Sequence, residues 1–239
     1  MVLDALRTHV DAFLTKPVTK EKLFAEIDRI TWYDQSGDRA KRLTVLAIGA
    51  HPDDVEIGCG GSLLRHHAQG DSCHMLTLTD GGLESGYDER MREAYRAADM
   101  LGAELHVGDL VDTRVSDGTE TVSLIQRYID ELNPDIIYTH SVNDTHQDHR
   151  NCQIATMAAA SDVPEIYSYI GPSTTMAFHP TRFVNIDEQI DNKLAVIRSY
   201  RSQLAFRPYL KSSLIRSTAE YWGRFAGYHL VEPFEVIRS

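Results

Sequence analysis

The chain has 239 residues, 42% of them hydrophobic and 25% charged, with a formal net charge of −11. That length accommodates one large α/β domain, or a main domain with a small appendage, and two full-sized domains would be cramped. The acidic balance speaks against nucleic acid, whose binding rests on clustered Lys and Arg; no apolar stretch has the length of a bilayer span, and the N-terminal residues are too polar for a signal peptide. A cytoplasmic protein is expected.

In chain order, residues 2–31 give a short apolar run, a Lys16-Pro17 step and a helical pattern with Leu23, Phe24, Ile27 and Ile30 on its apolar face. Residues 34–41, "DQSGDRAK", read as a linker. The stretch 2–31 resembles the last strand and helix of a bacterial response-regulator receiver domain. A receiver also needs an acidic cluster and a phosphorylated aspartate on earlier strands, so a remnant or the tail of a longer chain is expected, without phosphorylation. The alternative is a helical extension packed on the main domain. The domain division is 1–41 for the extension and linker and 42–239 for the main domain.

From residue 43 onward, apolar β-rich runs alternate with amphipathic stretches, as in parallel strands joined by crossover helices. Strands are predicted at 43–49, 72–79, 103–108, 135–140, 165–170 and 182–186, and helices at 61–69, 88–101, 120–132 and 148–160. Gly102 suits a left-handed helix stop. After residue 187 the strand signal fades into two helical patterns, at 187–204 and 212–229. The expected fold is a Rossmann-like three-layer α/β/α sandwich with a mainly parallel sheet and a helical C-terminal part. Cys59, Cys73 and Cys152 are odd in number and far apart, which suggests small buried hydrophobes in place of disulfides or a thiolate zinc site.

Chemistry concentrates in two segments. "AIGAHPDDVEIGCGG" (47–61) places His51, Asp53 and Asp54 directly behind the first strand, with Pro52 stiffening the turn and Gly58, Gly60 and Gly61 allowing a sharp entry into the next helix. "HSVNDTHQDHRN" (140–151) follows the fourth strand and adds His146, Asp148 and His149. In an open parallel sheet both loops leave the same edge. Two imidazoles and one carboxylate around a divalent ion, with a fourth position left to water, form a catalytic rather than a structural zinc set.

These segments resemble the PIG-L, or LmbE-like, zinc-dependent N-deacetylases. "TDGG" (79–82), "RMREAYRAADMLG" (90–102), "VDTRV" (111–115), "NPDIIYTH" (133–140) and "IRSYRSQ" (197–203) extend the match from about residue 43 to the C-terminus. The resemblance implies that His51, Asp54 and His149 hold Zn2+, with other divalent metals as alternatives. It implies Asp53 as general base, His146 as oxyanion stabiliser and Asp148 as the carboxylate orienting His146, with Arg90, Asp112 and Gln203 near the sugar. Where some relatives have a tyrosine two residues before His146, this chain has Asp144. Zinc of that kind lowers the pKa of its water toward about 7, and the products are acetate and a free amine. The implied partner is a small N-acetylated sugar or glycoside; homo-oligomerisation is left open.

The remaining signals have plainer readings. His66, His67, His74, His106, His179 and His229 lack motif partners and read as structural; His140 reads as loop support. Asp53 and Asp54 alone would serve as a helix cap with a dipole-complementing carboxylate, but that leaves the second cluster unexplained. Glu56 reads as support for a ligand. The glycines do not form G-x-G-x-x-G, so no dinucleotide is expected. An esterase or non-sugar amidase on the same fold, and a sugar-sensing module with a degenerate site, are the alternative functions.

Overall fold

The structure is a computed structural model that describes residues 16–20, 22–24, 42–82 and 87–239. The chain divides into two compact units, Met1–Arg42 and Leu43–Ser239. In the first, Thr19 Oγ1 accepts from the Lys22 amide at 3.3 Å at the start of a helical turn. The rest of the receiver-like reading of 2–31, and the linker at 34–41, lie outside the described residues.

The second unit begins with β1 (Thr44–Gly49), α1 (Asp54–Ala68), β2 (Ser72–Thr79), α2 (Tyr87–Leu101) and β3 (Ala103–Leu110). It continues with α3 (Thr119–Leu132), β4 (Ile136–His140), α4 (Gln147–Ala159), β5 (Glu165–Tyr169) and β6 (Arg182–Asn185). The final elements are α5 (Ile190–Ile197), α6 (Arg201–Leu204), a 3-10 turn (Pro208–Leu210), α7 (Ser212–Ala226) and β7 (Val231–Arg238). The sheet order is β3-β2-β1-β4-β5-β7-β6. Strands β1 to β5 pair in parallel, and β7 runs antiparallel to both β5 and β6.

β1 and β4 are buried on both faces, which is why their sequences are almost continuously apolar and not alternating. Leu46, Ile48, Leu76, Leu78 and Ile137 pack against Leu124, Ile125 and Ile129 of α3 and Cys152, Ala155 and Ala159 of α4. α1, α2 and α5 pack together, and helices lie on both sides of the sheet. Gly102 stops α2 with φ +66, and a Cβ there would lie 2.3 Å from the His67 ring. All three cysteines are buried and free. Among the described residues, no helix is long and apolar enough to cross a membrane.

The structure departs from the sequence reading in two linked places. The predicted 61–69 helix begins seven residues earlier, at Asp54, and is broken at Cys59, whose φ of −140° is not helical. β7, absent from the prediction, supplies what the break requires. Glu232 accepts from the amides of Gly61 and Ser62, both at 2.7 Å, and from Ser62 Oγ at 2.6 Å. Lys193 Nζ donates to the Ile57 carbonyl at 2.7 Å and to Glu232 at 2.6 Å. The orphan donors and the orphan carbonyl that a helix break exposes are thus satisfied by one buried ion pair.

Candidate active site

The site lies at the C-terminal ends of β1 and β4. These strands are neighbours, while the chain proceeds from β1 toward β2 on one side and from β4 toward β5 on the other, so the crevice is a topological switch point. In the β1–α1 loop the His51 amide donates to Asp54 Oδ2 at 2.7 Å. Asp53, the last residue before α1, is held in a left-handed backbone conformation with φ 97°. Arg90 of α2 clamps the loop from outside, donating to the Pro52 carbonyl at 2.9 Å and the Gly81 carbonyl at 3.2 Å.

The β4–α4 loop is fastened to the segment after β5. The Thr145 amide donates to the Ser173 carbonyl at 3.0 Å and the Thr175 amide to the Asn143 carbonyl at 2.7 Å. His146 caps α4, its Nδ1 accepting from the Asp148 amide at 3.2 Å. Because a backbone amide can only donate, the neutral His146 ring carries its proton on Nε2.

The two loops meet. The Asp54 carboxylate spans two rings, with Oδ2 at 3.3 Å from His51 Nδ1 and Oδ1 at 3.4 Å from His149 Nε2. The two contacts use different carboxylate oxygens, so Asp54 links the two rings without setting a single oxygen beside both nitrogens. Among the described residues, three groups here bring one ligand atom per residue within 4.8 Å of one another: His51, His146 and His149; Asp54, His140 and His149; and His51, Asp112 and Asp148; the set His51, Asp54 and His149 implied by the resemblance is not one of them. The His146 and His149 rings stack at 4.4 Å, and His51 meets His146 edge-on at 4.9 Å.

Electrostatics reinforce the geometry. Burial disfavours a charged His51 ring, but Asp112, Asp148 and Asp54 outweigh it and hold the pKa well above the ordinary value. His149 is likewise raised, to about 9, because Asp54 and Asp144 overcome its burial. Burial raises Asp53 to about 7 against the opposing pull of Arg90, whose Nη2 lies 3.6 Å away. His146 is lowered, by burial and then by its His149 and His51 neighbours. Seven buried side-chain polar atoms have no hydrogen-bond partner among the described residues, and four belong here: Asp53 Oδ2, Arg90 Nε, His140 Nδ1 and Asp148 Oδ1. Buried polar atoms of native proteins seldom stay unpaired, so water or a bound group is expected to meet these four. Thr113, at φ 65°, is a second strained residue in the same crevice.

A cavity of about 420 Å³ opens over this arrangement, lined by His51, Asp53, Asp54, Arg90, Asp112, His146 and His149. Asp148 lies beneath it, fully buried. Its carboxylate meets His51 Nε2 at 3.2 Å and accepts from the Thr113 amide at 2.8 Å. The side chain therefore engages His51, where the resemblance implied His146; the latter ring folds onto the Asp148 amide instead. Asp112 Oδ1 lies 3.1 Å from His51 Nε2. Gln203 does not line the cavity; it is buried on α6, with Nε2 donating to Ser202 Oγ at 3.1 Å. Glu56 is buried against Tyr200, whose hydroxyl donates to it at 2.5 Å, and burial raises its pKa to about 7.

Three further residues of the crevice have no role assigned to them by the sequence reading. Arg207 and Tyr209 line the cavity from the segment after α6. Asp144 Oδ2 meets His149 Nδ1 at 3.2 Å, and Asp144 Oδ1 accepts from Ser173 Oγ at 2.6 Å and the His146 amide at 2.8 Å. Its place in a loop dense with His and Asp was visible; its partner on the β5 side was not. His140 Nε2 accepts from the Ala50 amide at 3.1 Å and lies 3.2 Å from Asp54 Oδ2, and its ring stacks at 3.9 Å on His149.

The family model described as PIG-L, GlcNAc-PI de-N-acetylase, matches residues 46–160. The uncharacterized deacetylase YaiS of Escherichia coli (strain K12) is 34% identical over 174 residues, which cover 68% of this chain and 92% of that protein. The chain therefore belongs to the PIG-L deacetylase family. The diacetylchitobiose deacetylase of Thermococcus kodakarensis is 28% identical over 225 residues, covering 81% of this chain and 82% of that one. Among solved structures, the conserved protein TT1542 from Thermus thermophilus aligns with a TM-score of 0.72 and 28% identity, over 80% of this chain and 93% of that chain.

Proposed function

We propose that this protein is a metal-dependent hydrolase that removes an N-acetyl group from an amino sugar or glycoside. The observation that carries the reading is the convergence of two loops nearly a hundred residues apart, so that Asp54 bridges His51 and His149 beside a buried, unpartnered oxygen of Asp53. Membership of a deacetylase family and similarity to a diacetylchitobiose deacetylase support the choice of bond and substrate class.

His51, Asp54 and His149 would hold Zn2+ or a similar divalent ion, and their mixed imidazole and carboxylate donors suit it. When bound, such an ion supplies Lewis acidity, lowering the pKa of a water toward about 7 and polarising the amide carbonyl. Asp53 takes the proton from the attacking water with its free oxygen as the oxygen–carbon bond forms. His146, protonated on Nε2 in its neutral form, donates to the carbonyl oxygen as negative charge develops there. Asp53 then returns the proton to the amide nitrogen as the carbon–nitrogen bond breaks, giving acetate and a free amine. Arg90, Asp112, Arg207 and Tyr209 furnish the charged and hydrogen-bonding wall that a sugar requires.

The test is acetate release from a panel of N-acetylated and O-acetylated sugars, before and after chelation. N-acetyl substrates should be hydrolysed, a chelator should abolish turnover, and added zinc should restore it. Activity indifferent to the chelator, or confined to O-acetyl sugars, would falsify the reading.

A further inference from the structure

A second histidine cluster lies away from the catalytic crevice, on the face of β2 and β3. The parallel register sets His74 opposite Glu104 and Leu76 opposite His106. Side chains alternate along a strand with period two, so Glu104 and His106 project from the same face of β3, and His74 projects beside both from β2. None of the three belongs to the motifs of the crevice, and nothing in the hydrolytic mechanism uses them.

We propose that His74, His106 and Glu104 form a separate site for a divalent transition ion, of which Zn2+ is the representative. His74 Nδ1 lies 3.3 Å from His106 Nε2 and 3.6 Å from Glu104 Oε2. The three donor atoms all lie within 4.8 Å of one another. The two rings share a hydrogen bond at that distance, and because two ligands about 2.05 Å from a tetrahedral ion are separated by roughly 3.3 Å, an ion replacing the shared proton would meet both nitrogens with little movement. The rings are nearly parallel, at an interplanar angle of 17° and a centroid distance of 5.5 Å.

The surroundings fix the ligand geometry further. Ser72 Oγ, two residues earlier on β2, lies 3.0 Å from His74 Nε2. When that nitrogen donates to the serine, the His74 proton is kept on Nε2 and the Nδ1 lone pair is free for the ion, the outer hydrogen bond that metal-binding histidines ordinarily make. The Tyr128 ring of α3 packs 4.9 Å from His106 and restrains it from the other side. His74 is buried, while Glu104 is 67% exposed at its side chain, so an ion can enter from solvent and keep water in its remaining position. Two imidazoles and a carboxylate select zinc, copper or nickel over magnesium or calcium, which prefer all-oxygen shells. An ion here would clip the outermost strand, β3, to its neighbour. This assignment is independent of the hydrolase reading.

The experiment is a ZnCl2 titration of the full chain, freed of metal by chelation, followed through the histidine-ring resonances by NMR. The rings of His74 and His106 should shift together. Glu104→Gln should weaken their response about tenfold, and His106→Gln should remove the His74 response, both variants folding normally and leaving sugar deacetylation unchanged. The proposal is overturned when saturating zinc leaves His74 and His106 unmoved, whatever His51 and His149 do, or when His74 responds equally in the wild type and both variants.

Discussion

Helix α1 touches two buried clusters of charge that are built on opposite plans. At its Cys59 break, Glu232 and Lys193 are fully engaged: the carboxylate takes three donors from Gly61 and Ser62 as well as the lysine, and the lysine takes the Ile57 carbonyl. At its first turn, Asp53 keeps one oxygen unpartnered, and Arg90, His140 and Asp148 each keep one polar atom in the same state among the described residues. A closed network gives rigidity, since every desolvated group recovers a partner. An open one leaves polar atoms to be met by water, a ligand or a reacting group. The contrast separates the charges that hold this protein together from those proposed to act.

Substituting one residue in each cluster breaks the comparison most sharply. Asp53→Asn removes the proposed proton acceptor of the open cluster while keeping a residue that tolerates the left-handed backbone at φ 97°. Turnover of an N-acetylated sugar should fall about 10²- to 10⁴-fold, with the thermal midpoint held or raised because a buried, incompletely solvated carboxylate is gone. A variant that unfolds early yet turns over normally per folded molecule would move Asp53 into the closed class. Lys193→Met should do the reverse. It strands the buried Glu232 charge and the Ile57 carbonyl, so urea denaturation should show a loss of about 3–5 kcal/mol, while activity per folded molecule persists. Equal stability of this variant and the wild type would mean that the helix break does not need its ion pair.

The sequence exposes the open cluster better than the closed one. His51, Asp53, Asp54, His146, Asp148 and His149 stand out because polar residues interrupt apolar runs at strand ends, and five parallel strands follow from the alternation of buried runs with amphipathic stretches. The helix break was illegible because its partner lies 170 residues away, in a strand whose sequence, "VEPFEVIR", contains two glutamates and a proline that disguise it. The same distance effect hid Arg207 and Tyr209, which enter the crevice from the 3-10 turn after α6 and its leading residue. His74 and His106 have no local motif; only strand register brings them together. Local chemistry is readable from local sequence, whereas pairing across the sheet requires the topology.

Asp144 tests how far the open cluster depends on closed support. It is itself well satisfied, taking donors from Ser173, Thr174 and the His146 amide while fixing His149 Nδ1. These donors and the neighbouring His149, overcoming its burial, lower its pKa to about 2, so it remains ionised throughout the working range. Carboxylates that orient a ligating histidine from behind typically contribute about 10- to 100-fold in metal affinity. Asp144→Ala should therefore weaken zinc binding by that factor in a calorimetric titration, and Asp144→Asn, which keeps one accepting oxygen, should weaken it less. Equal affinity in all three proteins would show that packing against the His140 ring, stacked at 3.9 Å, suffices to orient His149; the boundary between the two clusters would then lie at the imidazoles and not at the carboxylate behind them.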